Sequence, residues 1–121
     1  MAAPDFFLGQ GDLEPLIEDR LVDDQGDPIQ LDPDNDRVFA LWQRKDRSDV
    51  LHQAQGAILA LDPEDLTSPN VQYAWQAGDS DIVGDYDFQW RVLFADGKIL
   101  TVPNDRTIWL QITRSLGTVT P

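Results

Sequence analysis

The chain has 121 residues, a formal net charge of −13, 41% hydrophobic residues and no cysteine. That is one domain's length with apolar content for one core. It excludes a disulfide framework and thiolate chemistry, and with His52 as the only histidine it excludes a zinc site built from nitrogen and sulfur ligands. Residues 1–36 carry eleven acids against Arg20 alone, whereas residues 37–121 carry eleven acids against eight bases. Such a surface repels phosphate backbones, so no nucleic-acid partner is expected. The acidic third is either a solvated surface or a face for a partner with a basic patch.

No apolar run approaches the roughly 18 residues of a membrane span, so no membrane partner is expected. Met1-Ala2-Ala3-Pro4-Asp5 lacks the basic and apolar regions of a signal peptide. A cytosol-like compartment is expected, with assembly into a particle left open.

In chain order, residues 4–16 hold two prolines, two glycines and the triplet Phe6-Phe7-Leu8. They read as an extended arm or edge strand, so the chain divides into an arm over 1–16 and a sandwich over 17–121. Ile17 to Val22 is a short strand candidate, closed by the turn signal Asp23-Asp24-Gln25-Gly26-Asp27-Pro28. Ile29 to Leu31 pairs briefly before Asp32-Pro33-Asp34-Asn35. Val38 to Trp42 is a continuous apolar run and predicts a central strand covered on both faces. Residues 46–56 read either as a short helix capped by Ser48 and ending at Gly56, or as a polar loop leading into a strand at Ala57 to Leu61. Asp62-Pro63-Glu64-Asp65 suits a single helical turn with Asp as its cap.

Val71, Tyr73 and Trp75 alternate with polar or small residues, the period of a strand. Asp85 to Phe94 alternates best: Tyr86, Phe88, Trp90, Val92 and Phe94 point one way, and Asp85, Asp87, Gln89 and Arg91 the other. Ala95-Asp96-Gly97-Lys98 signals a tight hairpin into Ile99 to Val102. Pro103-Asn104-Asp105 breaks that strand, and Thr107 to Thr113 forms the last one. About seven short strands at regular spacing predict an all-β antiparallel sandwich or barrel.

Chemistry-bearing patterns are sparse. His52 has no nucleophile motif with it and reads as a solvated loop residue, and no catalytic residue is assigned. Asp32, Asp34 and Asp36 resemble the start of a calcium loop, but Arg37 and Gln43 stand where that loop needs Gly and Glu. A looser set, Asp79, Asp81 and Asp85, reads as solvated acids. No metal and no cofactor is therefore expected. Trp42, Trp75 and Trp90 read as core. Trp109 has the opposite parity to Ile108, Leu110 and Ile112 and so faces outward, where it serves either as an interface anchor or as edge packing. Phe6 and Phe7 pose a similar choice, since adjacent strand residues cannot both point inward. Phe6, Phe7, Leu8 and Trp109 are the candidate interface residues.

Gly84-Asp85-Tyr86, opening the strongest strand, looks like the tyrosine corner of immunoglobulin-like sandwiches, in which the phenol bonds back to the preceding loop. Together with Val71 to Asp81 and Val92 to Asp105, it resembles the N-terminal domain of the phage baseplate upper protein family. Gln10-Gly11-Asp12, Asp24 to Ile29 and Val38-Phe39 fit that pattern more loosely, and Asp46 to Pro69 departs from it in length and acidity.

The resemblance implies an immunoglobulin-like β-sandwich that docks on a virion, with a role in assembly and no catalytic residues. It also favours strand over helix around residues 50–60. The expected role is a non-enzymatic structural protein of a tailed-phage virion, a capsid decoration, cement or head–tail accessory protein present in many copies. Its partners would be the major capsid protein or tail and baseplate proteins. A baseplate or tail-tip module, and a carbohydrate- or calcium-dependent binding domain, are the alternatives.

Overall fold

A computed structural model describes residues 3–103 and 106–114. The break expected at Asn104-Asp105, and the outer ends of the 1–16 and 17–121 divisions, lie outside the described residues. The nine strands among the described residues are β1 (Phe6–Gly9), β2 (Ile17–Asp19), β3 (Arg37–Arg44), β4 (His52–Gln55), β5 (Ala57–Ile58), β6 (Val71–Tyr73), β7 (Gly84–Leu93), β8 (Ile99–Val102) and β9 (Ile108–Thr113). They form a β-sandwich. The larger sheet has the order β1-β9-β7-β3-β4, with β8 also on β7, and the smaller sheet has the order β2-β6-β5.

The hydrophobic alternation of β7 makes it the spine. Tyr86, Phe88, Trp90 and Val92 are buried, and the residues between them lie half-exposed on the outer face. β3 pairs along one edge of β7 over Arg37 to Arg44. The other edge is shared: β9 pairs with Gly84 to Phe88, and β8 with Trp90 to Leu93. Val38, Ala40 and Trp42 of β3 face the core; on the outer face Leu41 is buried but Phe39 and Gln43 are half-exposed and Arg37 is exposed, so the cover expected on both faces is found on the inner one alone. An aromatic cluster of Trp42, Tyr73, Trp75, Phe88 and Trp90 joins the two sheets through ring contacts of 5.0–6.4 Å. Edge-to-face rings of this kind add to the area they bury.

Several expectations are corrected. The large sheet is mixed, because β1 runs parallel to β9 with Leu8 opposite Ile112. Leu8 thereby enters the common core. Of the two readings of residues 46–56 the helix is absent, and strand is found around residues 50–60 as the resemblance favoured: the chain pairs with β3 as β4 and then crosses to the small sheet as β5. Gly56 is the crossing point. Its N–H donates to the Val38 carbonyl at 2.8 Å, and a Cβ there would lie 2.5 Å from the Gln72 carbonyl oxygen. Asp62 to Ser68 forms two successive turns instead of a helical one, closed by Asp65 N–H to Asp62 O and Ser68 N–H to Asp65 O. The Asp62 and Asp65 carboxylates accept the N–H groups two residues on, which holds the chain in turns.

The Ala95–Lys98 hairpin forms with one positive-φ residue, Gly97 at 89°, following a turn closed by Gly97 N–H to the Phe94 carbonyl. This is the three-residue loop with a left-handed glycine. Tyr86 Oη donates to the Ile82 carbonyl at 2.7 Å, four residues upstream, which is the tyrosine-corner bond anticipated from Gly84-Asp85-Tyr86.

Candidate protein-docking face

The outer face of the large sheet is built by register. Phe7 of β1 lies beside Gln111 of β9, which lies beside Asp85 of β7. The neighbouring row runs from Trp109 through Asp87 to Gln43. Side chains of one parity on three strands therefore meet on one surface.

Hydrogen bonds fix this surface. Asp85 Oδ1 accepts from Trp109 Nε1 at 2.8 Å and from Gln111 Nε2 at 3.0 Å. Asp87 Oδ1 accepts from Lys45 Nζ and from the Thr107 hydroxyl, both at 2.8 Å. The Lys45 ammonium also sits 5.5 Å over the Trp109 ring, a cation–π contact. Arg47 lies 3.6 Å from Asp87 and donates to Gln43 Oε1 at 2.8 Å. Burial pushes the Asp87 carboxyl up, but the bonds from Lys45 and Thr107 and the charges of Lys45 and Arg47 outweigh it and leave the group below the ordinary carboxylate range. Trp109 is thus a half-buried aromatic with its indole N–H satisfied and its ring orientation locked. At its backbone, Asp5 extends the pairing: Trp109 N–H donates to Asp5 Oδ2 at 2.8 Å, and Asp5 N–H to the Trp109 carbonyl at 2.9 Å.

The four candidate interface residues separate. Phe7 is 54% exposed and stands on this face. Trp109 lies on the same face, half-buried. Phe6 points the other way and packs against the core, 6.3 Å from the Trp75 ring. Leu8 is 1% exposed, so its side chain is withdrawn from the surface. Parity alone separates Phe6 from Phe7. The anchoring set of Lys45, Asp85, Asp87, Thr107 and Gln111 was not singled out from sequence, although the outward parity of Asp85 and Asp87 was its one available signal.

Of the acids weighed for calcium, Asp32, Asp36, Asp79 and Asp85 have other partners. Asp32 accepts from Asp34 N–H at 2.9 Å and Asn35 Nδ2 at 2.7 Å, and Asp36 from Asp32 N–H at 2.8 Å and Ala95 N–H at 3.0 Å. Asp79 accepts from the Tyr73 hydroxyl at 2.5 Å and from Gln76 N–H at 2.8 Å. Among the described residues no three His, Asp or Glu side chains come together as a metal-ligand set. His52 is a strand residue and not a loop residue. It stacks on Trp42 with ring centroids 5.2 Å apart and bonds Asp49 at 2.9 Å. No Ser or Thr hydroxyl bonds to His52 among the described residues. No protein-family model, curated protein or solved structure matches the chain.

Proposed function

We propose that the protein is a non-enzymatic docking module that contributes to a larger assembly through the outer face of its large sheet. The observation that carries this is the pairing of an exposed Phe7 with a pre-oriented Trp109 on a hydrogen-bonded sheet surface. Aromatic anchors held in one geometry lose little freedom on binding and are the residue types that dominate interfaces. The surrounding Asp85, Asp87, Lys45 and Arg47 balance in sign, so the face is less acidic than the chain as a whole.

The assembly we propose is a tailed-phage virion, with the chain as a capsid decoration, cement or head–tail accessory protein in many copies. The support is the resemblance of Val71 to Asp81, Gly84-Asp85-Tyr86 and Val92 to Asp105 to the phage baseplate upper protein domain, together with the Tyr86 corner bond that an immunoglobulin-like sandwich uses. A baseplate position is the second reading, and the same resemblance favours it. Mass spectrometry of density-purified particles, produced from the genome that encodes this chain, tests the proposal. The chain should co-purify in amounts comparable to a capsid or tail protein. Its absence from the particles would overturn the virion assignment.

A further inference from the structure

A cleft of about 960 Å³ opens on the opposite side of the large sheet from the docking face, between β8–β9 and the segment that follows β2. Its floor is Leu100, Val102 and Ile108, inward-facing side chains that stay half-exposed at this end of the sandwich. Leu21 and Ile29 form the facing wall. β8 pairs only with β7, and its other edge makes no backbone hydrogen bond among the described residues. A slot with an apolar floor and a mixed polar rim therefore lies beside an unpaired strand edge. That is the geometry which accepts an added strand: main-chain bonds give affinity, and alternate side chains enter the slot.

Three acids, Asp19, Asp23 and Asp24, and two bases, Arg20 and Arg106, line the cleft, which leaves it acidic by one charge. Asp19 lies against the core there, its Oδ2 accepting from Trp90 Nε1 at 3.2 Å and its Oδ1 from Arg20 N–H at 2.8 Å. Burial raises its carboxyl above the ordinary range, against those two bonds and the more distant pull of Arg106. Among the described residues no cation forms a salt bridge with it; Arg106 lies 4.0 Å from Asp5 and is largely exposed. Arg20 turns away to the Ser68 carbonyl at 3.0 Å. Asp23 and Asp24 add two exposed acids at the rim. A half-buried carboxylate that no cation contacts directly among the described residues gains from one that arrives with its own apolar stem.

We infer that this cleft binds an extended segment of a partner protein, added as a strand along β8, with an arginine or lysine against Asp19 between apolar neighbours. The site goes beyond the Phe7–Trp109 face and does not depend on it. The test uses the full isotope-labelled chain and a blocked heptapeptide, Thr-Val-Thr-Arg-Thr-Val-Thr, whose valines and arginine share one strand face. The Trp90 indole N–H resonance, bonded to Asp19, is the readout. It should move saturably with this peptide. The same peptide with citrulline for arginine should bind at least about tenfold more weakly, the scale of one lost charge-assisted hydrogen bond. Asp19→Asn should weaken the arginine peptide similarly while the circular-dichroism spectrum is retained. Should Asp19→Asn fail to fold, Leu100→Lys places a competing cation at the slot and should block binding instead. Equal affinity for the arginine and citrulline peptides, an unmoved Trp90 signal, or shifts confined to the β4 edge would each overturn the inference. None of these outcomes involves the Phe7–Trp109 face, so the docking proposal stands or falls separately.

Discussion

At the scale of single residues, Asn70 does more than its place in a turn suggests. It is 1% exposed, and its side chain acts as a stretch of strand: Oδ1 accepts Leu21 N–H at 2.8 Å, and Nδ2 donates to the Leu21 carbonyl at 3.1 Å. Asn70→Ala orphans the Leu21 N–H, while the Leu21 carbonyl keeps the Ile29 N–H at 2.9 Å, so denaturant unfolding should show a loss of about 1–3 kcal/mol. A loss below 1 kcal/mol would mean that water replaces the amide. Asp87 allows a pH test. Its carboxyl lies below the ordinary value of 3.8 in the folded chain, so the stabilisation it supplies is complete above that value. It is lost as pH falls through the lower folded-state pKa. The stability gap between the wild-type chain and Asp87→Asn should therefore be constant near neutrality and close below pH 3.8. A gap that widens on acidification would contradict the Lys45–Asp87–Thr107 arrangement. Asn70 was not legible in advance, because a buried amide bonding backbone 49 residues away leaves no local pattern. Tyr86 was legible, because its corner bond spans only four residues.

At the scale of elements, alternation did most of the predictive work where strands are long. β7 buries every second residue from Tyr86 to Val92, and its inward set was readable from period two alone. β4 and β5 were not, because four- and two-residue strands carry too few positions to set a period. Their strand character comes from pairing with β3 and β6, and the residue that makes the crossing possible is Gly56. Gly56→Ala drives a methyl group into the Gln72 backbone carbonyl, which cannot rotate away as a side chain would. A cost of about 1–3 kcal/mol is expected, read as a lowered midpoint in thermal or denaturant unfolding. An unchanged midpoint would show that β4 and β5 can separate from Gln72 freely. The parallel pairing of β1 with β9 was equally hidden: residues 6 to 9 read as an edge strand, but direction and partner depend on contacts about 104 residues away in sequence.

At the scale of the whole molecule, the acidic composition and the sandwich together set what each surface can do. Six of the eleven acids of residues 1–36 lie in the turns between β2 and β3, where Asp23, Asp32 and Asp36 accept backbone N–H groups and shape the chain. The outer face of the large sheet is different: its acids are matched by Lys45 and Arg47, and its aromatics are Phe7 and Trp109. Outward parity for Trp109 was legible in sequence, whereas the Asp85 and Lys45 contacts that hold it depend on which strands lie side by side. Docking through that face is tested by binding to particles. Particles assembled without the chain are mixed with purified wild-type protein or with Phe7→Glu, a change at an exposed position that leaves the core untouched. Wild type should bind the particles saturably and Phe7→Glu should not, with both proteins equally folded. Equal binding by the two, or no binding by wild type, would contradict the account.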